Sequence, residues 1–194
     1  MLPKPLAKIA PNTLEFEILP LVKPTGFREY DARWWFNGIG HEKDPELNLT
    51  GVQALGLGMA TLFHELGVEP KVVTGHDYRS ISQPIKNALI LGLMQAGITV
   101  KDIGPAVSPM AYFSQFYLDV PAVAMVTASH NPNGWTGVKM GMSRPLTHGI
   151  DEMAELKQIV MNADFDLAEG GAYQFEADVH QAYIDDLSSG VKLN

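Results

Sequence analysis

Residues 127–139 read Thr-Ala-Ser-His-Asn-Pro-Asn-Gly-Trp-Thr-Gly-Val-Lys, a stretch dense in groups that do chemistry. Ser129 offers a hydroxyl, His130 an imidazole, Asn131 an amide, and Lys139 an ammonium ten residues after the serine. Three readings stand side by side. In the first, this is an ordinary turn whose polar side chains are solvated. In the second, Ser129 is a hydrolytic nucleophile. That reading lacks a G-x-S-x-G elbow, and adjacent residues of an extended loop point apart, so His130 is not expected to serve as its base. The base would have to come in space from His41, His64, His76, His148 or His180. In the third, Ser129 carries a phosphate, which adds roughly −1.5 to −2 charges and three strong acceptor oxygens. Such a group calls for backbone N–H donors, a cation and usually a metal. Lys139, across the glycine turn, and Arg33 and Arg28, from an earlier segment, are candidate cations; the ordinary alternative for each is a solvated surface charge. No histidine pair has zinc-ligand spacing with a third partner.

Elements must bring such residues together. Ala122 to Thr127 (AVAMVT) is a continuous apolar run, as in a strand buried on both faces of a parallel sheet. Val52, Leu55, Met59, Leu62, Phe63 and Leu66 recur at helical spacing and stop at Gly67. Lys71 to Thr74 reads as a strand, and Ser82 as the cap of a second helix closed by Gly97. Ile98 to Ile103 reads as a strand, Met110 to Tyr117 as a helix and Val138 to Met140 as a brief strand. Asp151 reads as the cap of a helix, and Asp178 to Leu187 as a last acidic helix. This alternation predicts an α/β fold with a mostly parallel, mixed sheet flanked by helices. In such sheets ligands bind beyond the carboxyl ends of the strands, here Gly75–Arg79, Gly104–Ser108 and Thr127–Lys139. Pro3, Pro5, Pro11, Pro20 and Pro24 predict an extended arm over residues 1–26, with strand-like alternation only at Leu14–Ile18. Asn37-Gly38 reads as a turn. The α/β body is expected over 27–170, a linker at Gly170-Gly171, and a helix over 171–194.

Composition excludes several classes. In 194 residues, 14 Lys and Arg face 22 Asp and Glu, a net charge of −8, so the basic face that nucleic acid requires is not expected. The absence of Cys removes disulfides, thiol catalysis and thiolate-bound zinc. The densest apolar stretch, Ala88 to Met94, falls short of the ~20 residues of a membrane span. The proline-broken N-terminus does not read as a signal peptide. A soluble, cytoplasmic protein with neither membrane nor nucleic-acid partners is the expectation.

Three motifs, in order, resemble those of the α-D-phosphohexomutases, the phosphomannomutase/phosphoglucomutase family. TASHNPNGWTGVKM (127–140) is similar to the family's phosphoserine loop, T-x-S-H-N-P followed by a glycine turn and a lysine. FREYDAR (27–33) resembles its F-R-x-Y-D-x-R segment, and Gly75-x-Asp77-x-Arg79 its G-x-D-x-R loop, although Ser80 follows Arg79 at once. The resemblance implies a fold like domain one of that family. It implies that Ser129 is the phosphorylated catalytic serine, and that Arg33 and Lys139 support proton transfer and stabilise the moving phosphoryl group. Tyr30, His130 and Asn131 would shape the site. Trp34 departs from the pattern, standing where many relatives have a glycine, whose backbone freedom tryptophan lacks.

The implied activity is transfer of a phosphoryl group between O1 and O6 of a hexose 1- or 6-phosphate, with a hexose 1,6-bisphosphate as activator and bound intermediate. Mg²⁺ would be held in part through the Ser129 phosphate. Its other ligands belong to a D-x-D-G-D loop of a second domain, a pattern these residues do not contain; Asp164-x-Asp166 and Asp185-Asp186 read as solvated carboxylates. The expectation is therefore one domain of a four-domain enzyme, inactive alone, with the C-terminal domains of the same parent as partners. The alternative is a non-catalytic α/β domain that binds a sugar phosphate or another partner.

Overall fold

The structure, a computed structural model, describes residues 2–36 and 43–190; the Asn37-Gly38 turn and His41 lie outside them. Six strands, β1 (Asp31–Trp35), β2 (Lys71–His76), β3 (Thr99–Pro105), β4 (Ala122–Val126), β5 (Trp135–Gly141) and β6 (Ala172–Phe175), form one sheet in the order β1-β5-β4-β2-β3-β6. β4, β2, β3 and β6 run parallel; β5 is antiparallel to both β4 and β1. The expected mixed, mostly parallel sheet is thus present, and its parallel part contains the apolar β4, buried at every position.

Alternation along the strands sorts residues between two cores. Val72, Ala122, Ala124 and Val126 pack in one core with helices α2 (Leu49–Glu65), α3 (Ser82–Gln95) and α5 (Ile150–Asn162). Val73, Val123 and Met125 face the other, smaller core with α4 (Ser108–Tyr117) and α6 (Val179–Gly190). Gly67, the expected stop of α2, has φ +63° just past the helix end.

The structure corrects four local expectations. Leu14–Ile18 is not strand-like but a short helix, α1, started by the Thr13 hydroxyl, which accepts the Phe16 N–H at 3.2 Å. The following chain is docked onto the body by Asn48. The Asn48 side chain donates to the carbonyls of Phe16 (2.6 Å) and Leu19 (2.8 Å), and accepts the N–H groups of Leu21 (2.9 Å) and Gly51 (2.7 Å). Ser82 is the first helical residue of α3, not its cap, because its hydroxyl is committed to Asp77 at 2.6 Å. Asp151 lies in the first turn of α5, whose cap is Gly149.

The fourth correction concerns residues 171–194, expected as a helix alone. Ala172–Phe175 extends the sheet beside β3, and α6 packs on α4 through Phe113 and Tyr183, whose rings are 5.4 Å apart. The sheet therefore continues past Gly170-Gly171. A buried network secures this edge. Lys86 donates to both Asp102 oxygens (2.7 and 2.5 Å), and Asp102 also accepts the Gly104 N–H (2.8 Å) and the Tyr173 hydroxyl (3.0 Å).

Two measurements test these packing arguments. Lys86→Ala strands the Asp102 charge in the interior, and urea unfolding is expected to show a loss of about 3–5 kcal/mol. His148 is 3% exposed, and neither ring nitrogen has a partner among the described residues. Burial pushes its pKa down to about 4, against the opposing charge of Glu152. The unfolded chain therefore takes up the proton first as pH falls. The site is without penalty above about pH 6.5, and destabilises increasingly as pH drops toward about 4, by up to about 3 kcal/mol. His148→Leu is expected to remove that component of the pH dependence of the urea midpoint.

Candidate active site

The register of β1, β5 and β4 lays out two rows. Asp31 pairs with Lys139, and Lys139 with Met125; one step on, Arg33 pairs with Gly137, whose carbonyl accepts the Thr127 N–H at 3.0 Å. Directly opposed residues share a face of the sheet, so Asp31, Arg33, Lys139 and Thr127 stand on one side. Ala32, Trp34 and Val138 turn to the large core on the other. The approach of β1 to β5 is tight: a Cβ at Gly137 would sit 2.2 Å from the Ala32 carbonyl oxygen.

Beyond β4 the chain turns sharply. Ser129 has φ +55°, the left-handed region, which costs an ordinary residue about 1–2 kcal/mol. Its N–H donates to the Thr127 hydroxyl oxygen (2.9 Å), and that hydroxyl donates to Asp77 (2.9 Å). Asp77 also accepts the Ser82 hydroxyl (2.6 Å) and the Arg79 N–H (3.2 Å), and pairs with the Arg79 guanidinium. Burial alone would raise the Asp77 pKa. The hydrogen bonds from Ser82, Thr127 and the Arg79 backbone, with the Arg79 charge, outweigh it and hold the carboxyl below its ordinary range. Arg79 reaches on to the carbonyls of Asn131 (2.7 Å) and Ser129 (3.3 Å).

Arg33 grips the same turn from the other side. It donates to the Ala128 carbonyl (3.0 Å) and the Asn131 side-chain oxygen (2.5 Å), and pairs with Asp31 through two nitrogens at 3.0 and 2.7 Å. Ser129, Arg33 and Asn131 are thus brought together as expected. His130 joins them against the expectation that it would point away: its Nδ1 lies 3.1 Å from Ser129 Oγ. The left-handed turn, absent from an extended loop, accounts for the difference. Among the described residues nothing orients the other nitrogen of His130, so a hydrolase triad is not assembled.

The serine opens into a cavity of about 620 Å³, lined by Arg79, Val107, Ser108, Met125, His130 and Lys139 among others. Ends of β2, β3 and β4 contribute to it, the three places picked out from the strand order. The Lys139 ammonium makes no hydrogen bond or ion pair with the described residues. Tyr30 is elsewhere. The Arg28 N–H bonds the Asp31 carbonyl at 2.9 Å, and this tight turn puts Tyr30 at its tip, lining a separate depression with Arg28, Met153 and Lys157. Trp34 stands within β1. It is fully buried, donates from its indole to the Lys23 carbonyl (2.8 Å) and meets Phe27 edge-on at 5.2 Å. Gly26 makes the room, since a Cβ there would lie 1.9 Å from the indole.

The donor set does not suit a metal on its own. Among the described residues no group of three His, Asp or Glu could hold an ion, and the carboxylates beside the turn, Asp31 and Asp77, are each neutralised by an arginine. Mg²⁺ therefore has no site made by these residues alone.

Residues 25–167 match the family described as phosphoglucomutase/phosphomannomutase, alpha/beta/alpha domain I. The chain belongs to the phosphoglucomutase/phosphomannomutase family. It is 34% identical over 168 residues to a phosphomannomutase of Vibrio cholerae, covering 85% of this chain and 35% of that protein. It is 36% identical over 127 residues to a protein of Thermococcus gammatolerans described as a probable phosphoglucosamine mutase, covering 64% and 28%. A solved structure of a phosphoglucomutase/phosphomannomutase family protein from Burkholderia thailandensis superposes with a TM-score of 0.77 at 26% identity, over 90% of this chain and 37% of that one. The chain spans about a third of the length of such relatives. No helix among its described residues is long and apolar enough to cross a membrane.

Within this family domain, Thr127, Ser82 and the pair Asp77–Arg79 escaped role assignment from sequence. The D-x-R spacing, which occurs at 31–33 and again at 77–79, is the signal that marks the Asp77–Arg79 pair; Thr127 and Ser82 carry no such signal. Gly137→Ala tests the row geometry. The added methyl forces β1 away from β5, and thermal denaturation is expected to show a loss of about 1–3 kcal/mol.

Proposed function

We propose that this chain is the phosphoserine-bearing domain of a hexose-phosphate mutase, with Ser129 as the phosphate carrier. The observation that supports it most is the pairing of a hydroxyl, presented to a cavity by a braced turn, with the uncommitted Lys139 ammonium lining the same cavity. Phosphoryl transfer asks a protein for alignment and for positive charge near the equatorial oxygens.

In the proposed reaction the bond from phosphorus to Ser129 Oγ breaks as one forms to a hydroxyl oxygen of a hexose monophosphate. This gives a bound 1,6-bisphosphate. The displaced hydroxyl proton ends on Ser129 Oγ, and His130 Nδ1, 3.1 Å from that oxygen, is placed to relay it. Return of the other phosphate reverses the roles. Lys139 neutralises charge on the transferring group. Arg33 spends most of its donors on Asp31 and the turn, so its part is chiefly to hold Asn131 and the carbonyl of Ala128. Tyr30, at its separate depression, is assigned to contacts with a bound substrate only. Among the described residues a Mg²⁺ ion would find only the oxygens of a Ser129 phosphate, its carboxylate ligands coming from further domains. Those domains also supply sugar recognition, so residues 1–194 alone are proposed to be inactive as a mutase. The relatives' names span mannose and glucosamine phosphates, and the hexose is left to the same domains. A cytoplasmic location fits phosphorylated sugars as substrates.

The test uses the full-length protein incubated with glucose or mannose 1,6-bisphosphate. Peptide mass spectrometry is expected to find one phosphoryl group on Ser129, and none after Ser129→Ala. Lys139→Ala is expected to lower mutase turnover by about 10²–10³-fold, while changing stability by less than about 0.5 kcal/mol. Wild-type turnover in the lysine variant would remove it from the site, and a wild-type protein that never carries phosphate would leave the binding-domain reading.

A further inference from the structure

We propose that Asp77 is the positioning residue of Ser129, acting through Thr127 on one side and Arg79 on the other. The assignment rests on Ser129 being the phosphate carrier. Both backbone polar groups of the serine lead to this one carboxylate. The Ser129 N–H reaches it through the Thr127 hydroxyl, in two bonds of 2.9 Å. The Ser129 carbonyl reaches it through the Arg79 guanidinium, which also holds the Asn131 carbonyl at 2.7 Å.

Direction matters in this relay. An ionised carboxylate only accepts, so the Thr127 hydroxyl must give its proton to Asp77. The lone pairs left on that hydroxyl then face the Ser129 N–H. The orientation of one proton thus selects the left-handed turn at φ +55° and aims the serine side chain into the cavity. A second consequence follows for the phosphate. The Ser129 N–H is already spent, so the phosphoryl group draws on side chains, Lys139 first, rather than on its own backbone.

A purely structural role for Asp77 would be as an anchor of α3, through the Ser82 hydroxyl at 2.6 Å. The two roles use different bonds and can be separated. Thr127→Val keeps the shape of a side chain that is 7% exposed and cuts the Thr127 branch alone, leaving the bonds of Asp77 to Ser82 and Arg79. Thr127→Ser keeps the hydroxyl. Asp77→Asn replaces a pure acceptor with a group that can donate, and so permits the wrong orientation of the Thr127 proton.

The experiment compares these variants in the full-length protein by steady-state kinetics on glucose 1-phosphate, mannose 1-phosphate and glucosamine 1-phosphate. It adds the rate at which Ser129 takes phosphate from the matching 1,6-bisphosphate. For Thr127→Val, kcat and the phosphorylation rate are expected to fall about 10- to 100-fold with KM nearly unchanged, as befits a misaimed reacting group. Thr127→Ser is expected to restore both to near wild type, while Asp77→Asn behaves like the valine variant. A folded Thr127→Val protein with wild-type kcat overturns the proposal, as does a serine variant no better than the valine one. If Asp77→Asn fails to fold, the valine–serine pair decides alone. Absence of phosphate on Ser129 in the wild type is a different failure: it removes the mutase reading itself, and this assignment with it.

Discussion

Two arginines, each paired with an aspartate two residues before it, close on the same four-residue turn. Asp31–Arg33 comes from β1 and Asp77–Arg79 from the end of β2, and between them they take the carbonyls of Ala128, Ser129 and Asn131 and the Asn131 side chain. A guanidinium buried like Arg79, or part-buried like Arg33, is tolerable only when its charge is matched and its donors are filled. The aspartates supply the charge, and the turn supplies the remaining acceptors. Turn and clamps therefore complete one another. This also sets the electrostatics of the cavity: with both carboxylates neutralised by arginines, the Lys139 ammonium is left, among the described residues, as an uncompensated charge on the wall. A chain with a net charge of −8 can in this way present a locally positive mouth to an anion.

Much of the scaffold was legible because it is written in long, strongly patterned segments. The apolar run of β4 and the spacing of Val52 to Leu66 leave little choice, and strand–helix alternation then fixes where loops must gather. The misread places are short or depend on distant partners. Five alternating residues at 14–18 carry no information on whether a neighbouring strand exists, and the Thr13 cap and Asn48 decide for a helix. Ser82 looks like a cap in sequence, but Asp77, five residues before it, claims the hydroxyl. β6 is too short and too exposed to show a period, and takes its form from the edge of β3. At the site, residue types were readable while their roles were not. The His130–Ser129 contact exists because of one positive φ, which a non-glycine residue does not announce.

Trp34 shows how a departure from a motif is absorbed. The side chain points to the large core rather than toward the turn, because strand alternation gives even positions of β1 to that face. Its volume is matched by the bare backbone of Gly26, and its indole N–H by the Lys23 carbonyl. The neighbours on the opposite face, Arg33 and Asp31, keep their register with β5. A strand can thus carry the largest side chain on one face while the residues of the other face keep their pairing with the neighbouring strand.

The pairing of β1 with β5 also sets a clock. Asp31 and Lys139 face each other across the sheet yet lie 108 positions apart in the chain. At ~5–20 residues per second of synthesis, β1 waits about 5–20 s after leaving the ribosome before its partner strand is made. During that interval the indoles of Trp34 and Trp35 have no β5 to adjoin, and both arginine clamps have nothing to hold, since the turn between β4 and β5 is among the last pieces of the site to appear. On this timing, a nascent chain holding every residue up to β4 has most of its core but no functional mouth, and a strand of aromatic side chains still seeking an edge.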